Sequence, residues 1–319
     1  MEPQAPYVSV VDPIGPAIER VKTVLFRPFD LGRWFVIGFC AWLAQLGEPG
    51  GGGGGGNGSR YEAHRGNIRD EVERGWEYVV HNLDWLIPVA AVGAVVFVGI
   101  WLLLLWLSSQ GRFMFLYCVA QNKAEVRNPW QRFRSAANSL FAFRAVVGLI
   151  TLAAAIVPFL IGGIIVAATS ATIGFNVLSV MGIVAAVMYF IAVMIVAASI
   201  SKFTKDFVVP IMYLHTGSSV RAWQILLDLM SAHGARFVLY ILVQIAIAVA
   251  IGAMLVVSFC MCCCLACLFA LPYIGTVLLL PIHVFGRSYS LYYLAQYGPT
   301  FDAFAPSGGA TSPMPEPQA

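Results

Sequence analysis

The residues best equipped for chemistry are cysteines. Five of the seven crowd into SFCMCCCLACL, as Cys260, Cys262, Cys263, Cys264 and Cys267. On a helix, Cys260, Cys263, Cys264 and Cys267 fall at i, i+3, i+4 and i+7, which is one face. Three roles are open to that face. Cysteine packs as a small, soft hydrophobe. On an oxidising side of a membrane, two of them would pair as a disulfide. Clustered thiolates could also hold a metal or exchange electrons, but adjacent cysteines give poor tetrahedral geometry and no two CxxC pairs stand at zinc spacing. Cys40 and Cys118 are isolated in sequence and read as structural.

Other reactive combinations are sparse. Glu62, His64, Glu77 and His81 share one charged stretch, yet their spacing matches no metal motif, and solvated charge accounts for them. Gln244 and His283 are the most polar side chains inside long apolar stretches. They could bond to each other across two helices, as interhelical glue or as a substrate contact. No GxSxG, HExxH or paired acid is present, so nucleophilic and metal-assisted catalysis lack their parts. Gly50 to Gly56 form a run of seven glycines, but no Lys-Ser or Lys-Thr follows it. The run reads as a flexible linker, not a phosphate cradle. The expectation is a chain that is not an enzyme and carries no cofactor.

The elements holding these residues follow from composition. Of 319 residues, 59% are hydrophobic and only 11% charged, against about 45–50% and about 25% in soluble domains. Residues 86–109, 145–201 and 237–286 carry no charge with His283 neutral. Crossing a hydrocarbon core of about 30 Å takes about 20 apolar residues. The expected fold is all-α: a polytopic membrane bundle of about six spans, at 31–47, 84–108, 144–168, 177–201, 236–258 and 265–287. The first is short, with an interfacial or re-entrant segment as its alternative. Residues 47–84 form a Gly-rich outer loop, and 301–319 a disordered tail.

Charge orients this arrangement. With the N-terminus in the cytoplasm, 15 of the 19 Lys and Arg fall inside, and the outer loop takes the other four among seven acids. Both termini are then cytoplasmic. Residues 1–30 lack the apolar core of a signal peptide. No basic stripe interleaved with aromatics suggests nucleic-acid binding.

The chain also repeats itself. GRFMFLYCVAQN, 111–122, and GRSYSLYYLAQYG, 286–298, share GRxxxLYxxAQ, and KDFVVPIMYLHTG, 205–217, is a looser counterpart. Each closes a pair of spans. Each pair is preceded by an amphipathic segment, with apolar faces Ile14, Ile18, Val21, Leu25, then Trp130, Phe133, Ala137, Leu140, then Trp223, Leu226, Leu227, Met230. Such helices can lie in the headgroup plane. The pattern reads as three units of interfacial helix, two spans and an exit segment.

RPFDLGRWFVIGFCAWLAQLGE before the polyglycine loop, the cysteine-rich turn, and LPYIGTVLLLPIHVFGRSYSLYYLAQYGP together resemble a family of uncharacterised bacterial six-span membrane proteins, known only as a domain of unknown function. The amphipathic-helix pattern is also distantly similar to the membrane domain of glycerophosphodiester phosphodiesterases, but no soluble catalytic domain is present here. The resemblance implies a bacterial inner membrane and no catalytic residues. The expected role is a non-catalytic scaffold or membrane-organisation factor, partnered by the bilayer and other membrane proteins. A transporter or channel for a small or lipid-like molecule is the alternative.

Overall fold

The computed structural model describes residues 8–46, 81, 83–173, 177–215, 217–261 and 271–304. Every regular element among them is helical. The Gly-rich loop, the tail beyond 304 and Cys262, Cys263, Cys264 and Cys267 lie outside the described residues, as do Glu62, His64 and Glu77.

The chain enters through an extended stretch. Ser9 Oγ accepts from the amides of Val11 and Asp12 at 3.3 and 3.2 Å, turning it into α1, Ile14–Val21. Ala17 is fully buried, while Ile18 stays 44% exposed. Arg20 reaches inward and donates to the carbonyls of Val119 and Ala120 at 2.6–3.0 Å. Its burial pulls its pKa below the usual guanidinium value, and three hydrogen bonds offset that desolvation. A π turn, Lys22–Phe26, leads to α2, Leu31–Gln45. Asp30 caps α2 by accepting from Gly32 N at 2.8 Å.

The third helix, α3, Leu83–Gln121, runs 39 residues, about 58 Å at 1.5 Å per residue. The expected second span and the first exit segment are thus one continuous helix. Its second half packs against α2. Arg33 donates to Asn122, Cys40 meets Cys118, and Ser108 Oγ donates to the carbonyl of Ala44 at 3.0 Å. The two helices are antiparallel, and α2 ends level with Ser108 while α3 continues well beyond it. Gly111 permits the approach: a Cβ there would lie 2.6 Å from the backbone of Leu43 and Ala44.

A short helix, α4, Arg127–Arg132, and a long one, α5, Arg134–Ile173, follow, separated by Phe133 at ψ 10°. Next come α6, Val177–Phe203, a π turn at Thr204–Val208, α7, Val209–His215, and α8, Ser219–Met261. His233 breaks α8 with φ −136° and ψ 34°, dividing its amphipathic start from its apolar length. Two further helices, α9, Pro272–Leu278, and α10, Leu280–Ala295, meet at Leu279.

Among the described residues, four stretches are long and apolar enough to cross a bilayer: in α3, in α5, in α6 continuing through α7, and in α8. The expected first span is a helix of 15 residues, α2. The expected sixth, 265–287, is described only from 271, where it is two helices bent beside Pro281 instead of one rod.

The packed core sits at one end of this array, the base. The long apolar faces are exposed, as with Val95 at 73% and Val249 at 67%, which suits lipid as their solvent. The three exit segments meet in the base. Phe113 and Leu116, Phe207 and Met212, and Tyr289 and Tyr293 are all buried in one cluster. The amphipathic segments close around them through Ala17, Phe133, Ala137, Leu140 and Leu226. Leu227, expected on that same apolar face, points out at 53% exposure. Both ends of the chain are tied together there. Ser9 N donates to Gln296 Oε1 at 2.7 Å, and Gln296 Nε2 donates back to the Ser9 carbonyl at 2.9 Å.

Candidate functional site

The base holds the polar groups that apolar helices must satisfy internally. The most connected set joins α6, its π turn and α8. The π turn widens the helix and carries Asp206 to 7% exposure. Lys202 lies one turn earlier, with Nζ 3.2 Å from Asp206 Oδ2. Tyr240 donates to the same oxygen at 3.2 Å. Gln244, four residues on, donates to Tyr240 Oη at 2.6 Å and accepts from Lys202. The four side chains close a ring in which one ammonium serves two acceptors and one carboxylate oxygen takes two donors.

Aromatic packing seals this ring from below. Tyr240 stacks on Tyr289 at 5.5 Å and lies 4.6 Å from Tyr293 and 5.0 Å from Phe207, centroid to centroid. Arg287 is buried at 6% exposure and donates to the Lys205 carbonyl at 2.7 Å. It tethers the third exit segment to the second. Arg112, its counterpart in GRxxxLYxxAQ, is 1% exposed. Arg144 donates to Ser108 and Ser109 at 3.2 Å, binding α5 to α3.

The residues singled out by sequence fall as follows. Gln244 and His283 do not meet each other. Gln244 belongs to the ring, whereas His283 Nε2 pairs with Gln45 Nε2 of α2 at 3.1 Å. Cys260 lies on the helical backbone of α8, and the rest of the thiol cluster is outside the described residues. Cys40 and Cys118, distant in sequence, stand with sulfurs 4.0 Å apart, fully buried. His81 is exposed. Among the described residues, no group of three or more His, Cys, Asp or Glu could hold a metal.

Asp206 is not among the residues that the sequence analysis singles out. One signal was available: it is the sole acid in any of the three exit segments. An acid inside a segment that otherwise supplies core side chains needs a buried partner.

Apolar helices exposed along their length above a polar-lined, aromatic-packed base define an all-α membrane protein. The chain belongs to a family of unknown function, DUF7544, whose profile matches residues 8–280. No curated protein and no solved structure matches the chain. The likeness to glycerophosphodiester phosphodiesterase membrane domains therefore rests on the sequence pattern alone.

Proposed function

We propose that this protein is a scaffold or organising factor of the bacterial inner membrane, multi-pass, with both termini in the cytoplasm. One observation carries the reading. The buried Asp206 and Arg287 of the base are engaged by Lys202, Tyr240 and the Lys205 carbonyl, and the faces turned outward along the spans are apolar. A conduction path needs polar groups that water or substrate can reach through the span. The ring of Lys202, Asp206, Tyr240 and Gln244 instead reads as glue holding α6 to α8. The same-side placement of the termini is supported by the clasp between Ser9 and Gln296. The three similar exit segments, gathered in one core, support an arrangement in three units.

The transport reading has one specific observation in its favour: a Lys-Asp pair at the foot of two spans is an uncommon feature that often marks a pathway. Proteoliposome assays separate the two. A scaffold leaves proton, monovalent-ion and small-solute leakage equal to that of protein-free liposomes. Leakage above that background, abolished by Asp206→Asn, would replace the scaffold reading with transport.

A further inference from the structure

The surface around α2 concentrates exposed rings. Phe26 is 48% exposed, Phe29 59% and Leu31 60%. The rings form a knuckle: Phe26 and Phe29 stack at 6.5 Å, and Trp34 meets them at 5.7 and 5.9 Å, steeply inclined to both. Trp34 is held by donating Nε1 to the Leu25 carbonyl at 2.8 Å. The row continues along one side of α2 through Leu31, Phe35 and Phe39, at i, i+4 and i+8, all exposed. Trp42 and Tyr273 extend it, 6.0 Å from Phe39 and 6.1 Å from Phe35 respectively. Two exposed cations, Lys22 and Arg27, flank the knuckle. Of the nearby acids, Glu19 pairs with Lys22 at 2.6 Å and Asp30 caps α2.

A second protein or a bilayer could cover such a face, and three observations favour the bilayer. The chain's four long helices already turn apolar faces outward. Helix α2 is 15 residues, about 22 Å, and cannot cross a core of about 30 Å. Its end lies level with Ser108 of α3, so the aromatic row is confined to the base end of the spans. Aromatic rings beside Arg and Lys are the composition of the headgroup zone, where rings lie among the upper acyl chains and cations meet phosphates.

We infer that the Phe26–Leu31 knuckle and the aromatic row of α2 form a half-depth anchor in a single leaflet, with Arg27 selecting anionic phospholipid headgroups. This rests on the membrane-embedded part of the proposed function, not on the scaffold role. The full chain, carrying a photoreactive p-benzoylphenylalanine in place of Phe29, is reconstituted in nanodiscs of phosphatidylcholine with a minor share of phosphatidylglycerol. It is then irradiated and its adducts are weighed by mass spectrometry. The same substitution at Val95, 73% exposed on α3, reports lipid contact of the spans. Lipid adducts are expected at Phe29, with phosphatidylglycerol about fivefold above its molar share, the effect of one well-placed cation. Arg27→Glu should return that share to the molar value. Adducts to a second copy of the chain, no adduct at Phe29 beside a lipid adduct at Val95, or lipid adducts without phosphatidylglycerol enrichment would each overturn the anchor. Lipid missing from both positions would remove the membrane reading as well.

Discussion

Single atoms decide how closely the helices of the base approach. The two copies of GRxxxLYxxAQ make a natural experiment, because each opens with a glycine. A Cβ at Gly111 would press against the backbone of Leu43 and Ala44 at 2.6 Å, whereas one at Gly286 would meet nothing within 4 Å. Backbone cannot rotate away as a side chain can, so Gly111→Ala should push α2 off α3 at a cost of about 1–3 kcal/mol. Gly286→Ala should be neutral or slightly stabilising, through helix propensity. Thermal unfolding of both variants in one detergent checks the contrast, and equal midpoints would show that the close approach is not what the first glycine serves. The motif was visible in sequence, but the different demands on its two glycines were not, since they arise from what packs against each copy. Asp206 was hidden in the same way. Its charge was plain, but its burial depends on a π turn and on Tyr240 arriving from another helix.

At the level of elements, uncharged stretches sufficed to locate the long helices, because only apolar side chains tolerate lipid on every face. Their lengths were harder to read. Ser108, Ser109 and Gln110 resemble a break, yet α3 runs through them. Ser108 and Ser109 bond to carbonyls, and both accept from Arg144, so the helix loses nothing by carrying them into the base. The junction of α5 and α8 rests on a smaller device. Ser219 N donates to Ser139 Oγ at 3.0 Å, and Ser219 Oγ donates to the Ser139 carbonyl at 3.1 Å. Ser139→Ala removes the acceptor of an amide at a residue only 2% exposed, which should destabilise by about 1–3 kcal/mol. Ser219→Ala deletes a donor and its hydrogen bond, for about 1 kcal/mol. Detergent melting curves give the order. If Ser219→Ala proves the more damaging, the amide does not depend on Ser139.

For the whole molecule, the main feature is the separation of an apolar array from a base that carries the core. Composition announced the array, whereas the base depends on contacts between residues far apart in the chain. Ser9 and Gln296, 287 positions apart, predict that reporter fusions at the two ends read the same compartment. Under the proposed arrangement, with positively charged connectors inside, the expected readout at both ends is cytoplasmic. A fusion at His81, beside the start of α3 at the end away from the base, should read the opposite compartment. Ends that report different compartments would contradict the clasp directly. The clasp also bears on synthesis. Ser9 is translated 287 positions before Gln296, so its partner emerges only after nearly all the described helices have been made. Until then Ser9 lacks the partner that seats it, although Arg20 can already dock on the carbonyls of Val119 and Ala120. A chain cut short before Gln296 would keep the bond from Tyr289 to the Val10 carbonyl but lose both bonds that seat Ser9, so the base would close around a loosened N-terminal stretch.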